Sequence, residues 1–194
     1  MDESSFIDVE LNCLDIELFN TYGNFLFFTG GNGVTGVDDT IIEKIINHTK
    51  ENGCIITKNP KDYPFIRKDN VYKTYSTLLA KRFFSIKGFL IIDNTRINSN
   101  QIQSIKKELD CSNTLFIHYR HNTDDIDIDT IKYNYIFINN TITLKEKTDI
   151  YNKYIIDLNI LDDPEYFYYL IDTLYSGEYL VIDIDNCCFN FFCD

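Results

Sequence analysis

The sequence predicts an α/β fold, a mostly parallel central sheet with helices on both faces and a β-hairpin at the C-terminus. Three observations carry this. Short apolar runs alternate along the chain with longer amphipathic stretches, the rhythm of strand–helix–strand units. The apolar runs are continuous rather than alternating, as strands buried on both faces require. The final two apolar runs flank Asp185-Asn186, a turn-forming pair.

Along the chain, the run Phe25-Leu26-Phe27-Phe28 predicts a buried strand over 25–29. Ile41, Ile42, Ile45 and Ile46 recur at helical spacing towards Asn52, with Gly53 as the stop. Residues 54–57 read as a second strand and 59–64, with two prolines, as a loop. Tyr75, Leu78, Leu79 and Arg82 give 73–84 a helical pattern, and Gly88-Phe89-Leu90-Ile91-Ile92-Asp93 is the clearest strand. Asn98 or Ser99 caps a helix to about Leu109. Strands at 114–119 and 133–138, helices near 144–154 and 164–174, and a hairpin of 179–184 with 188–192 complete the chain. No repeat, linker or composition break appears, so 1–194 is expected to be one domain. The acidic stretch 122–129 reads as a surface loop.

Composition narrows the function. The chain has 194 residues with 44% hydrophobic and 25% charged content, ample for a core without disulfides or metals. Eighteen basic against thirty acidic residues give a formal net charge of −12, with an isoelectric point near 4.6. Duplex binding draws most of its affinity from phosphate neutralisation, so direct nucleic-acid binding is not expected. The basic residues Arg67, Lys68, Lys73, Lys81, Arg82 and Lys87 read as a solvated face. The start Met1-Asp2-Glu3 resembles no signal peptide, and no run reaches the length of a membrane span. Six scattered cysteines without a C-x-x-C pattern suit reduced thiols, with Cys187, Cys188 and Cys193 read as part of a packed terminal hairpin. The expectation is an intracellular protein with no membrane association. Heavy use of Ile, Asn, Asp, Lys and Tyr suggests an AT-biased genome.

Chemistry concentrates in Gly31-Asn32-Gly33-Val34-Thr35-Gly36-Val37-Asp38, directly after the first predicted strand. A phosphate-binding P-loop reads G-x-x-x-x-G-K-[ST] between a strand and a helix. Its backbone N–H groups cradle phosphates, its lysine neutralises them, and its hydroxyl holds Mg²⁺. The glycine spacing is present here, with Val37 at the lysine position and Asp38 at the hydroxyl position. Downstream, Phe89-Leu90-Ile91-Ile92-Asp93 has the Walker B form, whose aspartate approaches Mg²⁺. Asn94 comes next, where a catalytic acid is usual. The plainer reading, a glycine turn serving only geometry, stands beside the P-loop reading.

With these motifs and this element order, from about Asn24 to Phe192, the chain resembles the FtsK–HerA-type genome-packaging ATPases of large DNA viruses, as a degenerate member. The resemblance implies a P-loop NTPase-like fold, with the strands at 25–29 and 89–93 adjacent and parallel so that the Walker A turn and the Walker B aspartate meet at one sheet edge. Gly31 and Gly36 match the Walker A glycines and Asp93 the Walker B aspartate. It places Gly31, Gly33, Gly36, Val37 and Asp38 in a degenerate nucleotide site and Asp93 at a metal position. Arg96 and Arg120 are imaginable as arginine fingers, though surface arginine is the plainer reading.

Magnitudes decide what the departures mean. Loss of a single oxyanion-type donor costs about 10²–10³ in rate, and here the cation and the acid are both replaced. A carboxylate about 4 Å from a phosphate oxygen, at an effective dielectric near 20, is repelled by roughly 4 kcal/mol. Thr40-Ile41-Ile42-Glu43 fits a capping box. A helix starting there lets Asp38 and Asp39 take the anion's place at its N-terminus. The expectation is a pseudo-NTPase without cofactor, acting through a protein partner in a homo- or hetero-oligomer, in host cytoplasm or virion if viral. The alternatives are an atypical nucleoside triphosphatase using ATP and Mg²⁺ at Asp93, and an acidic interaction module without nucleotide. Asp125-Ile126-Asp127-Ile128-Asp129 lacks the glycine and glutamate of an EF-hand. His118-Tyr119-Arg120-His121 lacks a zinc-binding pattern.

Overall fold

The computed structural model describes residues 12–13, 23–29, 52–58, 61, 70–76, 88–93, 97–110, 114–120, 122–124 and 130–193. Among these residues nine strands form one sheet: β1 (Asn12–Cys13), β2 (Asn24–Phe28), β3 (Asn52–Thr57), β4 (Val71–Tyr72), β5 (Gly88–Asp93), β6 (Leu115–Arg120), β7 (Tyr135–Ile138), β8 (Glu178–Asp183) and β9 (Cys188–Cys193). Their order across the sheet is β1-β9-β8-β7-β2-β6-β5-β3-β4. The block from β7 to β4 is parallel throughout, while β8 runs antiparallel to both β7 and β9.

The five central strands are buried because both faces of the sheet carry apolar side chains. Leu26, Phe28, Cys54, Ile56, Leu90, Ile92, Phe116, Ile136 and Ile138 line one face. Phe25, Phe27, Ile55, Phe89, Ile91, Ile117 and Phe137 line the other. The first face is covered by α1 (Ser99–Leu109), through Ile102 and Ile105, and by a C-terminal helical layer. Asn98 caps α1 as expected: its side chain accepts from the Gln101 N–H at 3.0 Å, and Gln101 Oε1 accepts from the Asn98 N–H at 2.9 Å.

The C-terminal layer consists of α2 (Leu144–Ile150), a π-helical turn at Tyr151–Ile155, α3 (Ile156–Leu158) and α4 (Pro164–Asp172). Thr143 and Glu146 form a capping box on α2, and Asp163 caps α4 ahead of Pro164. Tyr151, inside the π turn, donates its hydroxyl to the Leu161 carbonyl at 2.9 Å, tying the helix to the loop beyond it. The β8–β9 hairpin turns through Asp185-Asn186, held by Asn186 N–H donation to Asp183 Oδ1 at 3.0 Å. Cys187 takes φ 51° in that turn.

Three sequence expectations are corrected. P-loop geometry led to the expectation that the 25–29 and 89–93 strands would be neighbours. Instead β6 lies between them, paired to both. Gly53, expected as a helix stop after Asn52, sits with Asn52 inside β3, where it lets the strand approach Phe89 closely. Residues 73–76, expected to open a helix, are not helical, and the two-residue strand β4 precedes them.

Candidate functional site

The carboxyl ends of β2, β3, β5 and β6 meet along one edge of the sheet. The strand order reverses there: from β2 the chain passes outward beyond β6 and β5 to β3, whereas from β6 it crosses to β7 on the far side of β2. In open parallel sheets, ligands bind outside the carboxyl ends of strands at such a reversal. β2 is thus the strand at the switch point, and in sequence it leads into the glycine-rich segment.

Asp93 ends β5 at this edge and is buried. Its Oδ2 accepts the Thr57 hydroxyl at 2.8 Å. The register explains the contact: Thr57 at the end of β3 pairs with Asp93, and Asp93 pairs with Tyr119 on β6. Strand alternation puts all three side chains on one face. Tyr119 pairs in turn with Phe27 of β2, and their rings stack at 4.6 Å between centroids and 16° between planes. Asp93 is therefore level with Phe27, two strand spacings away, about 10 Å. A stacked aromatic pair fills the interval on that face.

The other residues of the edge have defined tasks. The Thr29 N–H, just past β2, donates to the Arg120 carbonyl at 3.0 Å, and the Asn139 N–H donates to the Phe28 carbonyl at 3.3 Å. β2 is thereby held by both neighbours up to its last residue. Arg120 falls on the opposite face from Asp93 by alternation, and its guanidinium donates to the Asp124 carbonyl, within its own following loop. His118 Nδ1 lies 2.9 Å from the Tyr133 hydroxyl, in the core. Among the described residues no group of three or more His, Cys, Asp or Glu is arranged to hold a metal.

Of the residues singled out in the sequence, Asp93 and Arg120 are placed at the switch-point edge, on opposite faces. Gly31, Gly33, Gly36, Val37, Asp38, Asn94 and Arg96 lie outside the described residues, as do the capping box at 40–43 and the stretch 125–129. Sequence reasoning missed Thr57. Its signal was present, since Cys54-Ile55-Ile56-Thr57 and Leu90-Ile91-Ile92-Asp93 are both apolar runs ending in a polar residue. The cysteines divide: Cys54 is buried, and desolvation pushes its thiol well above the ordinary range. Cys187 and Cys193 are exposed on the hairpin rather than packed. No helix of the described residues is long and apolar enough to cross a membrane.

No family model matches the chain, and no curated protein matches it. Among solved structures it is similar to the genome packaging NTPase B204 of Sulfolobus turreted icosahedral virus 2. In complex with AMPPCP, that structure has 12% identity and a TM-score of 0.58, covering 87% of this chain and 96% of that chain. In complex with ATP-gammaS, the same protein gives 14% identity and a TM-score of 0.57, with 87% and 96% covered. B204, the DNA-packaging ATPase of Sulfolobus turreted icosahedral virus, gives 13% identity and a TM-score of 0.59, covering 89% of this chain and 97% of that one. The shared architecture is the P-loop NTPase-like α/β fold, with a mostly parallel sheet and a C-terminal antiparallel hairpin.

Proposed function

We propose that this protein is a catalytically degenerate P-loop NTPase-like protein of a large DNA virus, acting through contact with a packaging ATPase or a virion component. The observation that carries this reading is the composition of the glycine-rich segment immediately C-terminal to the switch-point strand β2. The glycines keep P-loop spacing, while Val37 and Asp38 stand where a phosphate cation and a metal-binding hydroxyl are required. The structural neighbours support the comparison, because they are packaging NTPases bound to AMPPCP and ATP-gammaS. In this chain the corresponding motif lacks the lysine, and Asp38 brings a repulsive carboxylate instead.

Calorimetry tests the reading. Titration with Mg²⁺–ATP is expected to give no binding tighter than about 100 µM, or about 5.5 kcal/mol, and no turnover. The double change Val37→Lys, Asp38→Thr is expected to restore phosphate affinity. A second reading, an atypical hydrolase, is favoured by one observation: Asp93 is buried at the switch-point edge and oriented by Thr57. Turnover by the parent protein that Asp93→Ala abolishes would establish that reading and remove the first.

A further inference from the structure

The large apolar side chains that stand exposed among the described residues all belong to the C-terminal helical layer or to the connection just past α4. Leu144 is 64% exposed, Ile156 53%, Tyr169 58% and Tyr175 77%. Isolated exposed apolar residues are ordinary, but a cluster rimmed by charge marks an interaction surface. α2 and α4 run antiparallel, since Lys147 Nζ donates to Asp172 Oδ1 at 2.5 Å while the Thr148 hydroxyl lies 3.0 Å from that of Tyr168. Asn140 Nδ2 donates to the Leu174 carbonyl at 2.8 Å. The start of α2, with Leu144, is thereby brought beside the end of α4, with Tyr175. Tyr169 lies one turn before Asp172 and stacks on Tyr166 at 6.2 Å.

This surface is acidic. From 140 to 178 the chain carries three basic and eight acidic residues. Two of the three bases are engaged within the layer, Lys145 by Asp149 at 2.7 Å and Lys147 by Asp172. Glu165 and Asp172 stand exposed on the same helix as Tyr169. A second copy of the chain is a poor occupant, because it brings the same acidic face and a net charge of −12. A segment carrying Arg or Lys complements the carboxylates, and its cations can sit over the tyrosine rings.

We propose that the outer face of α4 and the residues just past it, with the adjoining start of α2, dock a cationic amphipathic helix of a partner protein, with Tyr169, Tyr175 and Leu144 as apolar anchors and Glu165 as the charge partner. The proposal rests on the reading of the protein as one that acts by protein contact. Because α2 comes after β7, the neighbour of β2, the docking face adjoins the switch-point edge.

The test is calorimetry with a short helical peptide bearing Arg and Leu at i, i+3, i+4, i+7 spacing, and with its Arg→Glu counterpart. The Arg peptide is expected to bind, more weakly as salt is raised, and the Glu peptide not at all. Tyr169→Ser combined with Tyr175→Ser leaves the net charge unchanged and is expected to weaken binding about tenfold, as the loss of aromatic anchors does. Glu165→Lys, at an exposed helix position, is expected to weaken it independently. Equal binding by the tyrosine variant and the parent would overturn the proposal, since the attraction would then be bulk charge. Equal binding of the Glu peptide would overturn it as well. A chain that neither turns over Mg²⁺–ATP nor binds the Arg peptide loses this surface and keeps the protein-contact reading. Turnover of Mg²⁺–ATP by the chain overturns that reading, and this inference with it.

Discussion

Thr57 and Asp93 lie 36 positions apart in sequence and meet because β3 and β5 are paired in a register that aligns their last residues. Replacing Thr57 by Val keeps the shape and removes the hydroxyl from a buried acceptor. The expected cost is about 1–3 kcal/mol, read as a lower urea midpoint with unchanged slope. Asp149 sets a pH dependence. Desolvation raises its pKa, but the bonds it accepts from Lys145 and Thr123, with the Lys145 charge, outweigh burial and hold it below the ordinary carboxylate value. A carboxyl depressed by folding stabilises the protein above its unfolded pKa, and that contribution is lost as pH falls through the folded value. Asp149→Asn is therefore expected to be less stable than the parent at neutral pH. The difference should close below the ordinary carboxylate range, as denaturation midpoints measured across pH will show. At this scale Asp93 was legible because four apolar residues before an acid form a local pattern. Thr57 ends a similar apolar run, but its role as the partner of Asp93 depends on the β3–β5 register, which the run does not show.

Among the elements, β3 carries the sharpest consequence. A Cβ built on Gly53 lies 2.4 Å from both the Phe89 carbonyl oxygen and a carbon of the Phe89 ring. Backbone cannot yield as a flexible side chain does, so Gly53→Ala is expected to destabilise by about 1–3 kcal/mol, the range for overpacked cores. Chemical denaturation of the variant checks this. The sequence misassigned Gly53 because glycine commonly ends helices, whereas here it is needed for close approach between strands. The strands at 89–93 and 114–119 were legible because unbroken apolar runs of that length are buried strands in an α/β pattern. The short strands β1 and β4, two residues each, have no periodicity to read and arise only by pairing with β9 and β3. The π turn at Tyr151–Ile155 was equally silent, since it interrupts a pattern that otherwise continues as one helix.

For the whole molecule, the excess of acid over base disfavours duplex DNA as a direct partner. At −12, the purified protein is expected to bind duplex DNA no better than about 10⁻⁴ M at physiological salt. A gel shift at micromolar protein would contradict that. Strand order, by contrast, could not be read from the chain. Continuous apolar strands say that a sheet is parallel and covered, but any strand can in principle lie beside any other, and β6 stands between β2 and β5 where direct adjacency was expected. The sequence by itself determined the α/β class, the C-terminal hairpin, the acidic character and the departures from P-loop chemistry, because each depends on residue identity, composition or spacing along one segment. Only the tertiary structure decided that β2 is the switch-point strand, that Thr57 binds Asp93, and that α2 and α4 are joined through Lys147–Asp172 and Thr148–Tyr168. Those depend on which segments pack together, and that is set by the packing of the whole chain.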